Sequence, residues 1–361
     1  MKGAHDLADV ARRFRVNGTF LTARSHGSGH INHSYCVSFE EGGLINRYLL
    51  QHLNTDIFKD PGLLMENVQR VTSHLATKLA GTNDVARRVL TLIHTHDGRT
   101  WHREVGGSCW RMFRFIENAR TYDWVESTTQ ALEAAKAFGS FQQLLADMPA
   151  PRLHETIPAF HDTPRRFLDL ERAIEADVVN RAALVASEIA FALSRKSITS
   201  VLLDANLPER VTHNDTKLNN VLFDASGGDA LCVVDLDTVM PGLAVYDFGD
   251  MVRTATSPTQ EDEQDLSRVT MQFPLFEALV RGYLSTAGGF LTLAEKQYLP
   301  FSGKLIAFEQ GIRFLTDYLV GDVYYKVTLP NQNLDRCRTQ WKLVESIEQQ
   351  EEEMHRLINS T

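Results

Sequence analysis

Near residue 118 the hydrophobic period of this chain changes from two to that of a helix, and this change limits its fold more than any other feature. Before it, TFLTARSH, NHSYCVSFEE, GGLINRYLLQ and GGSCWRMFRFIE alternate or run apolar between Gly and polar breaks, which predicts strands. Between the last two lies DPGLLMENVQRVTSHLATKLA, where Asp60 can cap a helix, Pro61 fits its first position, and apolar residues recur every three or four places. A shorter amphipathic helix is predicted over 4 to 15. From TYDWVESTTQALEAAKAFGSFQQLLADM to LVESIEQQEEEMHRLI the pattern is helical, apart from short strands near 211 to 235. Strands followed by helices predict an α+β fold. Residues 1–118 would form an antiparallel sheet with one interrupting helix, the nucleotide-binding lobe, and 119–361 a mainly helical catalytic and substrate-binding lobe. The polar stretch 256–266 is expected at the surface, and the acidic run near 348–353 on a solvated helix face.

A length of 361 residues suits two lobes, and the net charge of -9 argues against a nucleic-acid partner, whose backbone needs a basic surface. Cys36, Cys109, Cys232 and Cys337 lie far apart without CxxC spacing and are expected to be reduced, small apolar residues. The opening MKGAHDLADVARRF lacks the apolar core of a signal peptide, and no stretch approaches a membrane span. A cytoplasmic protein without a membrane partner is expected.

The stretch VTHNDTKLNNVLFD, followed by LCVVDLDTVMPG, carries the chemistry. His213, Asp215, Lys217 and Asn220 have the H-x-D-x-K-x-x-N spacing of a kinase catalytic loop, and Asp235 ends an apolar strand as a metal-binding Asp does. A carboxylate at the loop tip, Asp215, can accept the proton of an acceptor hydroxyl as phosphoryl transfer proceeds. The amide oxygen of Asn220 and the carboxylate of Asp235 are hard ligands suited to Mg²⁺ beside ATP. Lys217 can neutralise the transferring group, while His213 fits a bracing role. Asp237, on the same strand face as Asp235, suits a second metal or substrate contact, or a cap.

In HGSGHIN, Gly27, Ser28 and Gly29 form a candidate phosphate cover between two strands, where glycines let backbone amides approach phosphate oxygens. The sheet-to-helix junction places the backbone of Phe115, Ile116 and Glu117 where adenine would bind. RYLLQHLN has Gln51 where a protein kinase carries its phosphate-pairing lysine. Glutamine can donate to a phosphate oxygen but brings no charge, so Arg47, Lys59 or the metals are expected to compensate, and Glu66 loses its usual partner.

Too few residues separate Asp235 from YDFGD for a protein-kinase activation loop, and no A-P-E follows, which argues against a protein substrate. H-x-D-x-x-x-x-N, D-x-D, a Gly/Pro turn and D-F-G-D together resemble the aminoglycoside phosphotransferase and choline kinase superfamily, whose fold is protein-kinase-like and two-lobed. Over almost the whole chain GSGHIN, YLLQHLNTDIF, LLMENV, FHDTPRRF, VTHNDTKLNNVLFD, VDLDTVMPG, YDFGD, LPFSGKL and GIRFLTDYLVGDVYY resemble bacterial N-acetylhexosamine 1-kinases. The resemblance implies ATP-dependent transfer to the anomeric hydroxyl, with Asp215 facing that hydroxyl, Asn220 and Asp235 holding Mg²⁺, and His30, Arg313 and Tyr324 binding the sugar. Gln51 is usual in that group. Arg313 lies in an otherwise apolar helix and must reach a polar cavity or pair with Asp317 or Asp322. A monomer or weak dimer acting on a sugar and a nucleotide is expected; choline, homoserine, an aminoglycoside or another sugar is the alternative acceptor, and a non-catalytic nucleotide-binding scaffold a third reading.

Overall fold

Alternation of apolar and polar side chains sets the N-terminal strands into one antiparallel sheet in the computed structural model, which describes residues 6–27 and 31–361. Strands β1 (Thr19–Ser25), β2 (His33–Glu41), β3 (Leu44–Leu53), β4 (His102–Arg103) and β5 (Cys109–Arg114) lie in the order β1-β2-β3-β5-β4. A short helix, α1 (Leu7–Ala11), precedes them, and α2 (Pro61–Lys78) and α3 (Val85–Arg88) interrupt them. Asp60 caps α2 through the amides of Gly62 and Leu63, as the sequence predicts, a cap worth about 1 kcal/mol.

Strand β5 is buried on both faces from Cys109 to Phe113. Successive side chains point to opposite faces. Trp110 and Met112 join Val10, Phe14 and Val37 on one side, whereas Cys109 and Phe113 join Leu64, Val68 and Phe141 on the other. Arg111 therefore projects into this second, apolar layer, which continues to Cys232, Leu236 and Val239 and joins the sheet to the rest of the chain. All four cysteines are unpaired thiols, and three of them are buried.

The remainder comprises α4 (Thr128–Leu145), α5 (Thr163–Ala176), α6 (Ala186–Ser194), α7 (Val201–Asp204), α8 (Ala244–Ala255), α9 (Phe273–Ala287), α10 (Leu293–Leu319) and α11 (Gln332–Ser360). Short strands accompany these helices. Strand β6 (Ala119–Arg120) pairs with β8 (Val221–Asp224) and β8 with β9 (Ala230–Val233), while β7 (Glu209–Thr212) pairs with β10 (Met240–Leu243). Helix α8 crosses α10 at close range, because a Cβ on Gly249 would stand 2.5 Å from the Ser302 carbonyl oxygen. The acidic run is solvated only in part, since Glu348 bonds Arg195 and Glu351 bonds Lys304. No helix among the described residues is long and apolar enough to cross a membrane.

Candidate active site

The loop from β7 to β8 has left-handed backbone at Asn214 (φ 64°), a conformation Asn tolerates better than most residues. Its side chain bonds the Thr238 carbonyl at 2.9 Å, tying this loop to the one after β9. His213 is fully buried against Phe138 and Phe141 and donates from Nε2 to the Val234 carbonyl at 2.9 Å. It braces the loop.

Asp215 sits half-buried at the tip, with Lys217 Nζ 2.8 Å from Oδ1 and Asn220 Nδ2 3.0 Å from Oδ2. Burial pushes the Asp215 carboxyl up, but the Lys217 ammonium outweighs it and holds the group below its ordinary value. The same pairing raises Lys217. Asn220 directs Nδ2 to both the carboxylate and the main-chain oxygen of Asp215, so its Oδ1 meets no donor among the described residues.

Asp235 adopts left-handed backbone (φ 59°) two residues after β9, at an exposed position where protein crowds its carboxylate, which makes no hydrogen bond among the described residues. Desolvation by surrounding protein and the nearby Asp237 and Asp215 carboxylates push it up to about 6. Two hard oxygens without donors, one of them destabilised by like charge, are suited to a divalent cation. Asp215 and Asn220 are hydrogen-bonded neighbours, and the charge of Asp215 is felt at Asp235.

The D-F-G-D segment lies within α8, from its fourth residue to its seventh, and does something the sequence reading missed. Asp247, fully buried, accepts from the His213 and Asn214 amides at 2.9 and 2.7 Å and from Gln142 Nε2 at 2.6 Å. Asp250 accepts from the Thr216 amide at 2.8 Å and is paired with Arg253. These carboxylates hold the main chain on both sides of Asp215. Acidic residues inside an apolar helical pattern were the available signal.

On the sheet side, Gln51 stands opposite Ser34 on one neighbour and Arg111 on the other. Its Nε2 donates to Ser34 Oγ and its Oε1 accepts from Arg111 Nε, both at 2.9 Å. Asp237 corrects the expectation of a second metal or substrate contact: it is buried, one oxygen paired with Arg111 Nη1 and the other bonded to Asn32 Nδ2 at 2.6 Å. Arg47 is no substitute for the lysine either, since it pairs with Glu117 and lies over the Phe115 ring at 4.7 Å. Lys59 is exposed, and Glu66 faces His154 instead of the sheet.

At the junction after β5, Phe115 N–H bonds the Arg47 carbonyl and the Glu117 carbonyl accepts from Arg87. The Phe115 carbonyl and the Glu117 N–H have no partner among the described residues, an acceptor and a donor two residues apart that suit the edge of an adenine. Gly27 has left-handed backbone (φ 79°) with open space around it. Ser28, Gly29 and His30 lie outside the described residues.

A separate cavity of about 170 Å³ is lined by Arg313, Tyr324, Tyr325, Arg166 and Asp169 among others. Arg313 is half-buried, lies between Phe160 and Tyr325, and donates to Gln310 Oε1 at 3.0 Å. The pairing with Asp317 or Asp322 weighed from sequence does not form. Asp317 takes the amides of Val323, Tyr324 and Tyr325, and Asp322 pairs with Arg181. Arg313 has no carboxylate partner within ion-pair distance among the described residues. Tyr324 is 56% exposed with its ring against Tyr325.

Solved structures share the fold that carries this site. The chain is similar to a microcompartment-associated aminopropanol kinase (TM-score 0.67, 17% identity, 96% of this chain and 97% of that one). It is also similar to an aminoglycoside phosphotransferase from Alicyclobacillus acidocaldarius (0.66, 12%, 100% and 98%) and to a choline/ethanolamine kinase family protein from Mesorhizobium loti (0.58, 14%, 94% and 93%). The α+β, kinase-like fold expected from the sequence is therefore the fold of this chain. Residues 22–283 match the phosphotransferase enzyme family (APH), which takes in the sheet, the loop of Asp215 and the D-F-G-D helix. With the greater part of its length so matched, the chain belongs to this family of ATP-dependent phosphotransferases that act on the hydroxyl groups of small molecules.

Proposed function

We propose that the protein transfers the γ-phosphoryl group of ATP to the anomeric hydroxyl of an N-acetylhexosamine, giving the hexosamine 1-phosphate. The observation that carries the choice of acceptor is Arg313, a cation with no carboxylate partner among the described residues, lining a cavity beside Arg166, Tyr324 and Tyr325. Arg166 and Arg313 offset Asp169 and Asp317 in its wall, so the cavity has no excess of negative charge to select an ammonium and suits a neutral polyol, whose vicinal hydroxyls accept from a guanidinium fork. The resemblance to N-acetylhexosamine 1-kinases, carried by GIRFLTDYLVGDVYY together with motifs such as VTHNDTKLNNVLFD and LPFSGKL, favours an N-acetylated hexose as that polyol.

In this reading Asp215 accepts the acceptor hydroxyl's proton while the new oxygen–phosphorus bond forms and the bond to the β-phosphate oxygen breaks. Lys217, by holding Asp215 ionised, keeps it ready as a base and lies close enough to share charge on the transferring group. Asn220 Oδ1 and Asp235 would hold Mg²⁺, and when bound the ion neutralises the triphosphate oxygens. The Phe115 carbonyl and Glu117 N–H would take the adenine edge, with Gly27 at the start of the phosphate cover.

An amino alcohol is the second reading, because structures of similar fold are named aminopropanol and choline/ethanolamine kinases. A screen of ADP release with Mg²⁺ and ATP across N-acetylglucosamine, N-acetylgalactosamine, plain hexoses, homoserine, choline and aminoglycosides separates the two. Phosphorus NMR then locates the phosphate on the product. Turnover of choline with none of N-acetylhexosamines would replace the sugar reading. Asp215→Asn should abolish turnover of whichever acceptor is used and leave ADP binding in place.

A further inference from the structure

We infer that Arg111, reached across the sheet from β5, takes the place of the phosphate-pairing lysine and donates to the phosphates of the bound nucleotide. Strand β3 offers only an uncharged amide at this point, Gln51, and the register sets Arg111 directly opposite it. Both side chains lie on the sheet face that looks toward the second lobe, because Gln51 follows Tyr48 and Leu50 out of the opposite layer and Arg111 sits between Cys109 and Phe113. Gln51 holds Arg111 by Nε, and Asp237 holds it by Nη1. Nη2 has no acceptor among the described residues.

A guanidinium 1% exposed in an apolar layer is costly unless it is paired. The pair itself could be no more than structural, since replacing a buried ion pair by apolar residues is often neutral. Three observations point to a ligand. The other cations weighed for this role are turned elsewhere: Arg47 to Glu117, and Lys59 to solvent. Asp237 is also bonded by Asn32, which in turn accepts from the Asn54 amide, so the carboxylate that fixes Arg111 is anchored at the base of the glycine loop. Finally, Asp237 lies two residues after Asp235, which places the guanidinium beside the loop that ends β9. Glu66 of α2, free of any lysine to hold, faces His154. The Arg111–Asp237 pair thus repeats, with residues from different elements, a cation fixed by a carboxylate and carried to the triphosphate.

The inference concerns the nucleotide alone and holds whatever the acceptor proves to be. Binding is therefore measured without acceptor, using Mg²⁺–ATP and, as a probe lacking phosphate, adenosine. Arg111→Gln combined with Asp237→Asn removes both charges at nearly constant volume. Its dissociation constant for ATP should rise about 10- to 100-fold, the loss of a charge-assisted bond, while that for adenosine stays within about twofold. Restoring a cation from the neighbouring strand, as Gln51→Lys with Arg111→Gln and Asp237 kept, should return ATP affinity to within about fivefold of the parent. Unchanged ATP affinity in the charge-free double variant, or equal weakening of ATP and adenosine, would overturn the assignment. Should that variant fail to fold, Arg111→Met with Asp237→Leu, which replaces the pair by apolar side chains, decides by the same measure: unchanged ATP affinity, or equal weakening of ATP and adenosine, would overturn the assignment.

Discussion

Asp247→Asn isolates what the D-F-G-D helix contributes to the site, because it changes hydrogen bonding at nearly constant volume. Every neighbour of the Asp247 carboxylate is a donor: the His213 amide and Gln142 Nε2 on Oδ2, the Asn214 amide on Oδ1. An amide offers one acceptor oxygen. Turned to keep His213 and Gln142, it sets its NH₂ against the Asn214 N–H, and turned the other way it opposes two donors. The better orientation loses one charge-assisted bond and leaves a main-chain N–H buried and unpaired, each about 1–3 kcal/mol. Burial raises the Asp247 carboxyl above its ordinary value, so holding it ionised already costs part of this gain, and the net loss expected is about 2–3 kcal/mol. With an unfolding entropy of about 2.1 cal/mol/K per residue, a chain of 361 residues should then lose about 3–4 °C in Tm.

The larger effect should be kinetic. Asn214 is the residue before Asp215, and its left-handed backbone is held at one end by Asp247 and at the other by the Thr238 carbonyl. Letting that end move by about 1 Å would misaim the carboxylate proposed as the base, at a cost on the order of 100-fold in kcat. KM for ATP should change far less, because the proposed nucleotide contacts lie mainly on the sheet. Scanning fluorimetry and steady-state ADP release measure both quantities on one preparation. A variant with kcat within about twofold of the parent would show that Asp247 does not position the loop, whatever happened to Tm.

Three further outcomes follow from other parts of the molecule. Gly249→Ala would drive a Cβ to 2.5 Å from the Ser302 carbonyl oxygen, so α8 and α10 must separate; a loss of about 3 kcal/mol or more in denaturant unfolding is expected, and an unchanged midpoint would refute the tight crossing. Burial pushes Glu309 up, but His161 at 2.8 Å and Thr163 at 2.6 Å outweigh it and hold the carboxyl below its ordinary 4.5. A depressed folded value stabilises above 4.5 and loses that contribution as pH falls through the folded value, so Tm of the parent should drop more steeply below pH 4.5 than that of Glu309→Gln. Arg313→Met should raise KM for the acceptor about 10- to 100-fold at unchanged KM for ATP; equal effects on both would remove Arg313 from the acceptor site.

What the sequence disclosed and what it withheld differ in how local their causes are. The capped start of α2 and the strands are written in neighbouring residues, because period, turn chemistry and capping act over a few positions. The loop around Asp215 was legible for the same reason: its spacing brings Asn220 to 3.0 Å of the Asp215 carboxylate within six consecutive residues. Arg111 and Asp237 stand 126 positions apart, Gln142 and Asp247 105 apart, and no local rule joins them. Each of these residues did carry a mark of its own, a charge or amide inside a run otherwise fit for burial, as in CWRMFR and VYDFGDMV. Burial of such a group demands a partner without naming it. Arg313 carried the same mark in GIRFLTDYL, and there it meets an amide, Gln310, and two rings but no carboxylate among the described residues: Asp317, the acid four residues on, is committed to the turn after α10. A buried charge whose nearby opposites are all engaged elsewhere is therefore the feature that sequence can flag and only the fold can interpret. In this protein it separates Arg111, held by Gln51 and Asp237 and proposed to serve the nucleotide, from Arg313, held by Gln310 alone and proposed to serve the acceptor.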